Sequence, residues 1–300
     1  MVLLLGVIST TVVAQSSGNP NKVTEDIEMK ISAQEFNKQT LFHMKNVHGS
    51  VRVKGYGGDD IMISGEKTVW KKKGTLTRED LDKIYLEKVM AQNNLYVYIQ
   101  APGVEVNIDD GKLHYHVHMG DWEDSRWGKW EDKKKSDLRF EFELELKVPH
   151  ALMASFSTIN GGEVVVENMT NGVHAKNVNG KIVLKEIAGQ TEATTVNGNI
   201  EVWFAKSPTL DTWFRTVNGT IKVYSPKDLS TVVTFKSLHG DLYTDFENIE
   251  HLPNRLNKKL NDEGTRYKIH KTAPIKIGDG GPEMSFKLVN GSAYIRQRKS

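Results

Sequence analysis

One short phrase, written again and again, limits what this chain can fold into. Thr195-Val196-Asn197-Gly198-Asn199-Ile200-Glu201-Val202 is its clearest copy, and Thr216-Val217-Asn218-Gly219-Thr220-Ile221-Lys222-Val223 repeats it almost letter for letter. Asn177 to Leu184 and Ser237 to Thr244 are looser copies, and two outliers run from Asn46 to Val53 and from Leu288 to Ile295. Gly180 to Gly198 is 18 residues, and the next two intervals, to Gly219 and to Gly240, are 21 each. A period of about 20 belongs to stacked repeats, in which each unit buries its apolar face only against its neighbours.

Asn-Gly between strand-patterned flanks is a tight-turn signal, because both residues tolerate positive φ. After each turn polar and apolar residues alternate, the period-2 pattern of a strand with one buried face. Between copies lie further short strand patterns, such as His174 to Val178 and Glu192 to Val196. The expectation is an all-β fold: a parallel β-solenoid (β-helix) of about 20-residue coils, preceded by a β-rich section with one short helix. The repeat turns are Asn160-Gly161, Asn179-Gly180, Asn197-Gly198, Asn218-Gly219, His239-Gly240 and Asn290-Gly291. Stacking would set Asn179, Asn197 and Asn218 one above another, their amides forming a ladder. Pro149, Pro208 and Pro226 suit corners, since proline cannot donate to a sheet, and the extra residue at Gly161-Gly162 suggests a bulge. The alternative is a β-sandwich with several Asn-Gly hairpins.

Residues 1–14 resemble the apolar core of a secretory signal with cleavage after Ala14, although the positive n-region is missing. A short strand or a membrane anchor is the other reading, but the run is too short and too rich in Ser and Thr to span comfortably. There is no cysteine, hence no disulfide and no lipidated N-terminal cysteine. The net charge of +2 indicates no nucleic-acid footprint. The hydrophobic share of 38% is low for a globular core, which thin stacked sheets tolerate. No other segment looks able to cross a membrane.

Taken in order, residues 15–39 read as a polar N-terminal segment and 40–295 as one β-repeat domain, with 296–300 as a basic tail. Strands are expected from Thr40 to Lys45, Val47 to Lys54 and Ile61 to Ser64, and a short helix from the Thr77 cap to about Lys83. Tyr85 to Ala91 and Leu95 to Gln100 form an expected hairpin. Leu138 to Val148 alternates without a fault, with Leu138, Phe140, Phe142, Leu144, Leu146 and Val148 inward. Residues 107–137 and 250–266 read as polar excursions.

The Leu146-Lys147-Val148-Pro149 lead-in, the serial Val-Asn-Gly-x-Ile-x-Val copies and the closing Leu288-Val289-Asn290-Gly291 resemble a bacterial family of β-strand-repeat proteins labelled putative adhesins, related to envelope domains nicknamed toast-rack. The resemblance covers roughly residues 40–295. It implies a parallel β-solenoid in an envelope or surface protein and no catalytic residues.

Three features carry what chemistry there is. His114, His116 and His118 alternate, so a strand would put all three on one face, where Zn²⁺ or Cu²⁺ could bind. A polar strand face in a loop is the preferred reading, and no metal or cofactor is expected. Trp122, Trp127 and Trp130 read as caps over an open side of the stack, with sugar stacking or a partner surface as the alternative. Trp203 and Trp213 read as core or sheet-face residues. Neither the first nor the third position after the turn glycines gathers two carboxylates, and no nucleophile motif is present. The function expected is non-catalytic: an exported, adhesin-like scaffold of the periplasm or cell surface that binds an envelope partner, glycan or protein. The alternatives are a β-helix polysaccharide-processing enzyme and an envelope-sensing accessory domain, and clustered acids on one face would favour the enzyme.

Overall fold

The computed structural model describes residues 14–15, 21–117, 137–253, 256–261, 264–269 and 273–298. The chain is all-β and divides into two compact units, Met1–Gly162 and Glu163–Ser300.

The first unit comprises β1 (Ala14–Gln15), β2 (Lys22–Ile31), a 3-10 turn (Ala33–Glu35), β3 (Leu41–Lys45), β4 (Val51–Tyr56), β5 (Ile61–Lys71), α1 (Arg78–Asp82), β6 (Tyr85–Ala91), β7 (Asn94–Gln100), β8 (Val104–Asp109), β9 (Lys112–Val117), β10 (Leu138–Pro149) and β11 (Ala154–Ser157). Within it, one sheet runs β1-β2-β5-β10-β4, a second runs β11-β3-β7-β6, and β8 and β9 form a hairpin. Strand β10 pairs antiparallel with β5 and parallel with β4, and its six alternate apolar side chains are all buried.

Strand β2 falls where a polar segment was expected. Its inward column reads Val23, Glu25, Ile27, Met29, Ile31, and the acid in that column breaks the apolar period. Glu25 is nonetheless only 3% exposed. It bonds Lys67 Nζ and Arg78 Nη1, each at 2.8 Å, while Lys67 also donates to the carbonyls of Leu81 (3.2 Å) and Ile84 (3.1 Å) at the end of α1. A buried charge persists when partners surround it, and this one ties α1 to the sheet. At the other end of α1, Thr77 and Asp80 form a capping box, and Asp80 meets Lys71 Nζ at 2.8 Å. The Lys71 hydrogen bond holds the Asp80 carboxyl down at about 2, against the opposing effect of burial.

Two further differences have local causes. The strand expected from Val47 starts at Val51, because the buried Asn46 amide bonds the Gly49 carbonyl at 3.1 Å and Phe142 O at 2.9 Å, which closes a turn. The excursion expected at 107–137 begins as the β8–β9 hairpin: Leu113, Val106, Ile108 and Tyr115 pack on Val89, Ala91, Tyr96 and Tyr98. The excursion expected at 250–266 likewise falls partly on strands.

The second unit comprises β12 (Val164–Glu167), β13 (Val173–Lys176), β14 (Ile182–Ile187), β15 (Thr191–Thr194), β16 (Ile200–Phe204), β17 (Thr212–Asn218), β18 (Ile221–Ser225), β19 (Thr231–Lys236), β20 (Leu242–Thr244), β21 (Ile249–His251), β22 (Leu256–Asn261), β23 (Gly264–Ile269), β24 (Ile275–Ile277), β25 (Glu283–Asn290) and β26 (Ala293–Gln297). One of its sheets runs β12-β14-β16-β18-β26-β20, all parallel. The other runs β13-β15-β17-β25-β19 in parallel, with β24 and β21 added antiparallel. The last copy of the phrase therefore does not follow the others in space: β25 and β26 insert between the copies at 216–223 and 237–244. Buried faces of the two sheets meet where Phe204 lies edge-on to Phe214, at 6.4 Å, and Phe214 adjoins Phe286 at 5.5 Å.

The turn asparagines serve this stacking, while positive φ falls on glycines such as Gly219 and Gly291. None of Asn179, Asn197, Asn218 and Asn290 has positive φ. Their side chains form a ladder: Asn197 Nδ2 donates to Asn179 Oδ1 (2.9 Å), Asn218 to Asn197 (2.8 Å) and Asn290 to Asn218 (2.7 Å). The glycines answer a close approach of backbones. A Cβ on Gly198 would sit 2.0 Å from Gly180 O, and one on Gly291 1.9 Å from Gly219 O. One position earlier than the valines, Thr195 and Thr216 hydroxyls donate to the Gly180 and Gly198 carbonyls at 3.1 and 3.0 Å. A register break lies between Leu184 and Ile187, with Glu186 at φ 52°.

Two outcomes follow. Gly198→Ala should cost about 1–3 kcal/mol in urea unfolding, whereas Gly57→Ala, where a methyl meets nothing within 4 Å, should stay within about 0.5 kcal/mol. Asp80→Asn should lower the Tm at pH 7. The folded-state pKa lies below the usual 3.8, so the carboxylate's contribution is present above that value and is lost as pH falls through about 2. The Tm difference between parent and variant should close over that interval.

Candidate functional site

Counting from each turn glycine, the fifth residue is Trp203 after Gly198, Tyr224 after Gly219, Asp245 after Gly240 and Arg296 after Gly291. Register places Trp203 beside Tyr224 and Tyr224 beside Arg296, and Asp245 continues from the end of β20 next to β26. Alternation turns this row outward, since Val202, Val223 and Ile295 are buried beneath it. The third residues make a second outward row: Glu201, Lys222, Tyr294 and Tyr243.

Parallel strands in register bring like side chains within stacking distance, and the aromatic residues use it. Trp203 and Tyr224 stack at 4.7 Å and 9°, Tyr294 and Tyr243 at 5.0 Å and 15°. Stacked rings spend faces on each other, so they offer edges and hydroxyls outward. The Arg296 guanidinium lies 5.4 Å from the Tyr294 ring centre, and its Nη1 is 3.8 Å from Asp245 Oδ2, beyond a good hydrogen bond. Asp245 Oδ1 accepts from the Gln297 backbone N–H at 2.7 Å. Arg298 grips Glu186 through both terminal guanidinium nitrogens and donates to Phe204 O at 3.1 Å. Trp203, Tyr224, Asp245, Arg296, Gln297 and Arg298 line a cleft of about 540 Å³. Beside it, the Asp241 charge pushes the Tyr243 hydroxyl up. The cleft thus offers ring edges, donors and acceptors with charges in balance, a chemistry suited to an uncharged, hydroxyl-rich ligand.

The first unit holds a different cleft, of about 490 Å³. Asp26, Glu66 and Glu143 lie in one row across β2, β5 and β10, and Glu28, Ser64, Glu145 and Arg52 in the next. All five acids are exposed, so burial sets none of them apart as a general acid.

The other residues singled out by sequence distribute as follows. Asn160 bridges His48 in the first unit, and His239 bridges Asn290 in the second, with Gly240 over Gly291. His114 and His116 lie exposed on the hairpin, opposite Asn107 and Glu105. No group of three or more His, Asp or Glu is placed to hold a metal among the described residues. His118, Trp122, Trp127 and Trp130 lie outside the described residues. Trp203 and Trp213 both sit on outer sheet faces. The aromatic cleft was missed because it is written in the fifth column, beyond the first and third. No helix among the described residues is long and apolar enough to cross a membrane.

No family model and no curated protein matches the chain. Solved structures similar to it include a putative cell adhesion protein from Clostridium sporogenes, 10% identical, covering 92% of this chain and 100% of that one at a TM-score of 0.42. A putative adhesin from Bacteroides fragilis is 10% identical over 91% and 97% (TM-score 0.35), and a putative lipid binding protein from Parabacteroides distasonis 13% over 94% and 98% (TM-score 0.32). The second of these carries the label of the family the repeat phrases resemble. With TM-scores under 0.5, none of these likenesses bears on a ligand for this chain.

Arg298 joins the chain's end to the cleft wall through Glu186 and Phe204. Arg298→Ala should lower stability by about 1 kcal/mol in urea unfolding, the modest value of a part-exposed pair, and should shift Trp emission as the wall beside Trp203 loosens.

Proposed function

We propose that the chain is a non-catalytic, exported β-solenoid module of the cell envelope or surface, adhesin-like, which binds saccharide chains along the second unit's aromatic rows. The observation that carries this is the cleft of Trp203, Tyr224, Arg296 and Asp245, all from the same position of successive repeats. Sugar hydroxyls both donate and accept, and Arg296 beside Asp245 offers each role within one hydroxyl pair's reach. Ring edges and tyrosyl hydroxyls from two further strands extend the same surface. Parallel ladders with the Asn column in register support the solenoid reading, and the apolar residues 1–14 support export.

The exposed acids of the first unit favour a second reading, a β-helix enzyme that processes polysaccharide. One experiment separates them. Purified chain is mixed with isolated cell-wall material and neutral glycans, then spun; the pellet is assayed for protein and the supernatant for sugar fragments. The binding reading expects retention without fragments, reduced at least tenfold by Trp203→Ala or Asp245→Ala. Fragments that disappear in Glu143→Gln would replace it with the enzyme. Retention unaffected by either cleft variant would move the contact elsewhere.

A further inference from the structure

The other sheet of the second unit treats charge differently. On the cleft side, opposite charges face each other across strands: Lys181 meets Glu201 at 2.9 Å and Lys185 meets Glu167 at 3.1 Å. On β17, β25 and β19, register sets Arg215 beside Lys287 and Lys287 beside Lys236. All three are exposed, and among the described residues none makes an ion pair. Thr194 and Lys176 continue the row on β15 and β13, where Lys176 lies 3.9 Å from Glu192. Like charges directly opposite on neighbouring strands destabilise a sheet. Folding alone gives no reason for three in succession.

Two residues further along each strand is a second row on the same face: Val178, Val196, Val217, Val289 and Leu238. Their backbones are joined sideways, with Asn197 N bonded to Val178 O at 2.8 Å, Val217 N to Val196 O at 3.2 Å and His239 N to Val289 O at 2.9 Å. Four of the five are conspicuously open to solvent, Leu238 at 71%. These residues fill the valine position of the repeated phrase, with Leu238 in one copy, so each repeat adds one aliphatic side chain to the strip. Two residues to the other side of the cations stands Trp213, 39% exposed. A strip of this kind on a folded surface marks a contact.

We propose that this face docks on an anionic lipid bilayer. The cations match headgroup phosphates, each contributing near a charged leaflet. The aliphatic strip reaches the acyl boundary, and Trp213, on the far side of the cations, suits the headgroup level. A soluble polyanion would satisfy the cations and leave the exposed aliphatic side chains in water, which is why the membrane is the better fit. The docking face is opposite in the sheet pair to the aromatic cleft and does not depend on it.

The full chain is sedimented with vesicles of phosphatidylcholine alone and of phosphatidylcholine with phosphatidylglycerol, at low and high salt. Binding should require phosphatidylglycerol and weaken with salt. Arg215→Gln, Lys236→Gln and Lys287→Gln should each weaken it about fivefold, and all three together on the order of a hundredfold. Leu238→Ser should weaken binding while leaving its salt dependence, and Lys185→Gln should change nothing. Circular dichroism and Tm report whether the triple variant folds; the single variants carry the test if it does not. Equal binding to both vesicles, no binding, or binding unchanged by the cation variants overturns the proposal. So does tighter capture by a soluble acidic polysaccharide with the same dependence on the three cations, which would make the row a polyanion site.

Discussion

A methyl group at Gly219 would lie 2.0 Å from the carbonyl oxygen of Gly198, and one at Gly240 would lie 1.9 Å from that of Gly291. Backbones this close leave no choice of residue, and they hold the parallel ladders of the second unit in register. Once the glycines are stacked, the Asn amides fall within hydrogen-bonding distance of each other. The Thr hydroxyls then reach the glycine carbonyls, and alternation delivers every other side chain to the same outer row. Both surface features, the aromatic cleft and the cationic strip, are consequences of that one registration.

The first unit solves a different problem, attaching a one-turn helix to a sheet. A helix that short is not stable by itself. Here its two ends are held by charge: the Asp80 carboxylate with Lys71 at the start, Lys67 with the final carbonyls at the end. Glu25 neutralises Lys67 and bonds Arg78 as well. Removing Glu25 would leave the buried Lys67 ammonium without a counter-charge, whereas Arg78 stands at the solvent side of the same carboxylate.

Within the second unit, two sheets of similar strands carry opposite electrostatic patterns. One pairs its charges and interleaves rings between them; the other lines up cations beside aliphatics. Since both are built from the same repeats, the difference lies in which positions of the phrase each sheet displays. Residues after the turn glycine face out from the first sheet, and residues before it face out from the second.

The repeat period, the all-β class and the alternating strand Leu138–Pro149 were legible in the chain, because turn glycines and apolar period-2 columns are local signals. The Asn ladder was legible too, since identical residues at equal phase must stack if the repeats do. Strand β2 was not: its inward column contains Glu25, which reads as polar until Lys67 and Arg78, more than forty residues away, surround it. The close approach of backbones at the turn glycines was not legible for a related reason, since it leaves the same residues as a positive-φ turn. The insertion of the last copy between two earlier ones was written nowhere in the order of the chain. That choice belonged to tertiary structure, which seats each strand by the face it must bury, and it is what sets Arg296 beside Tyr224 and Lys287 beside Arg215.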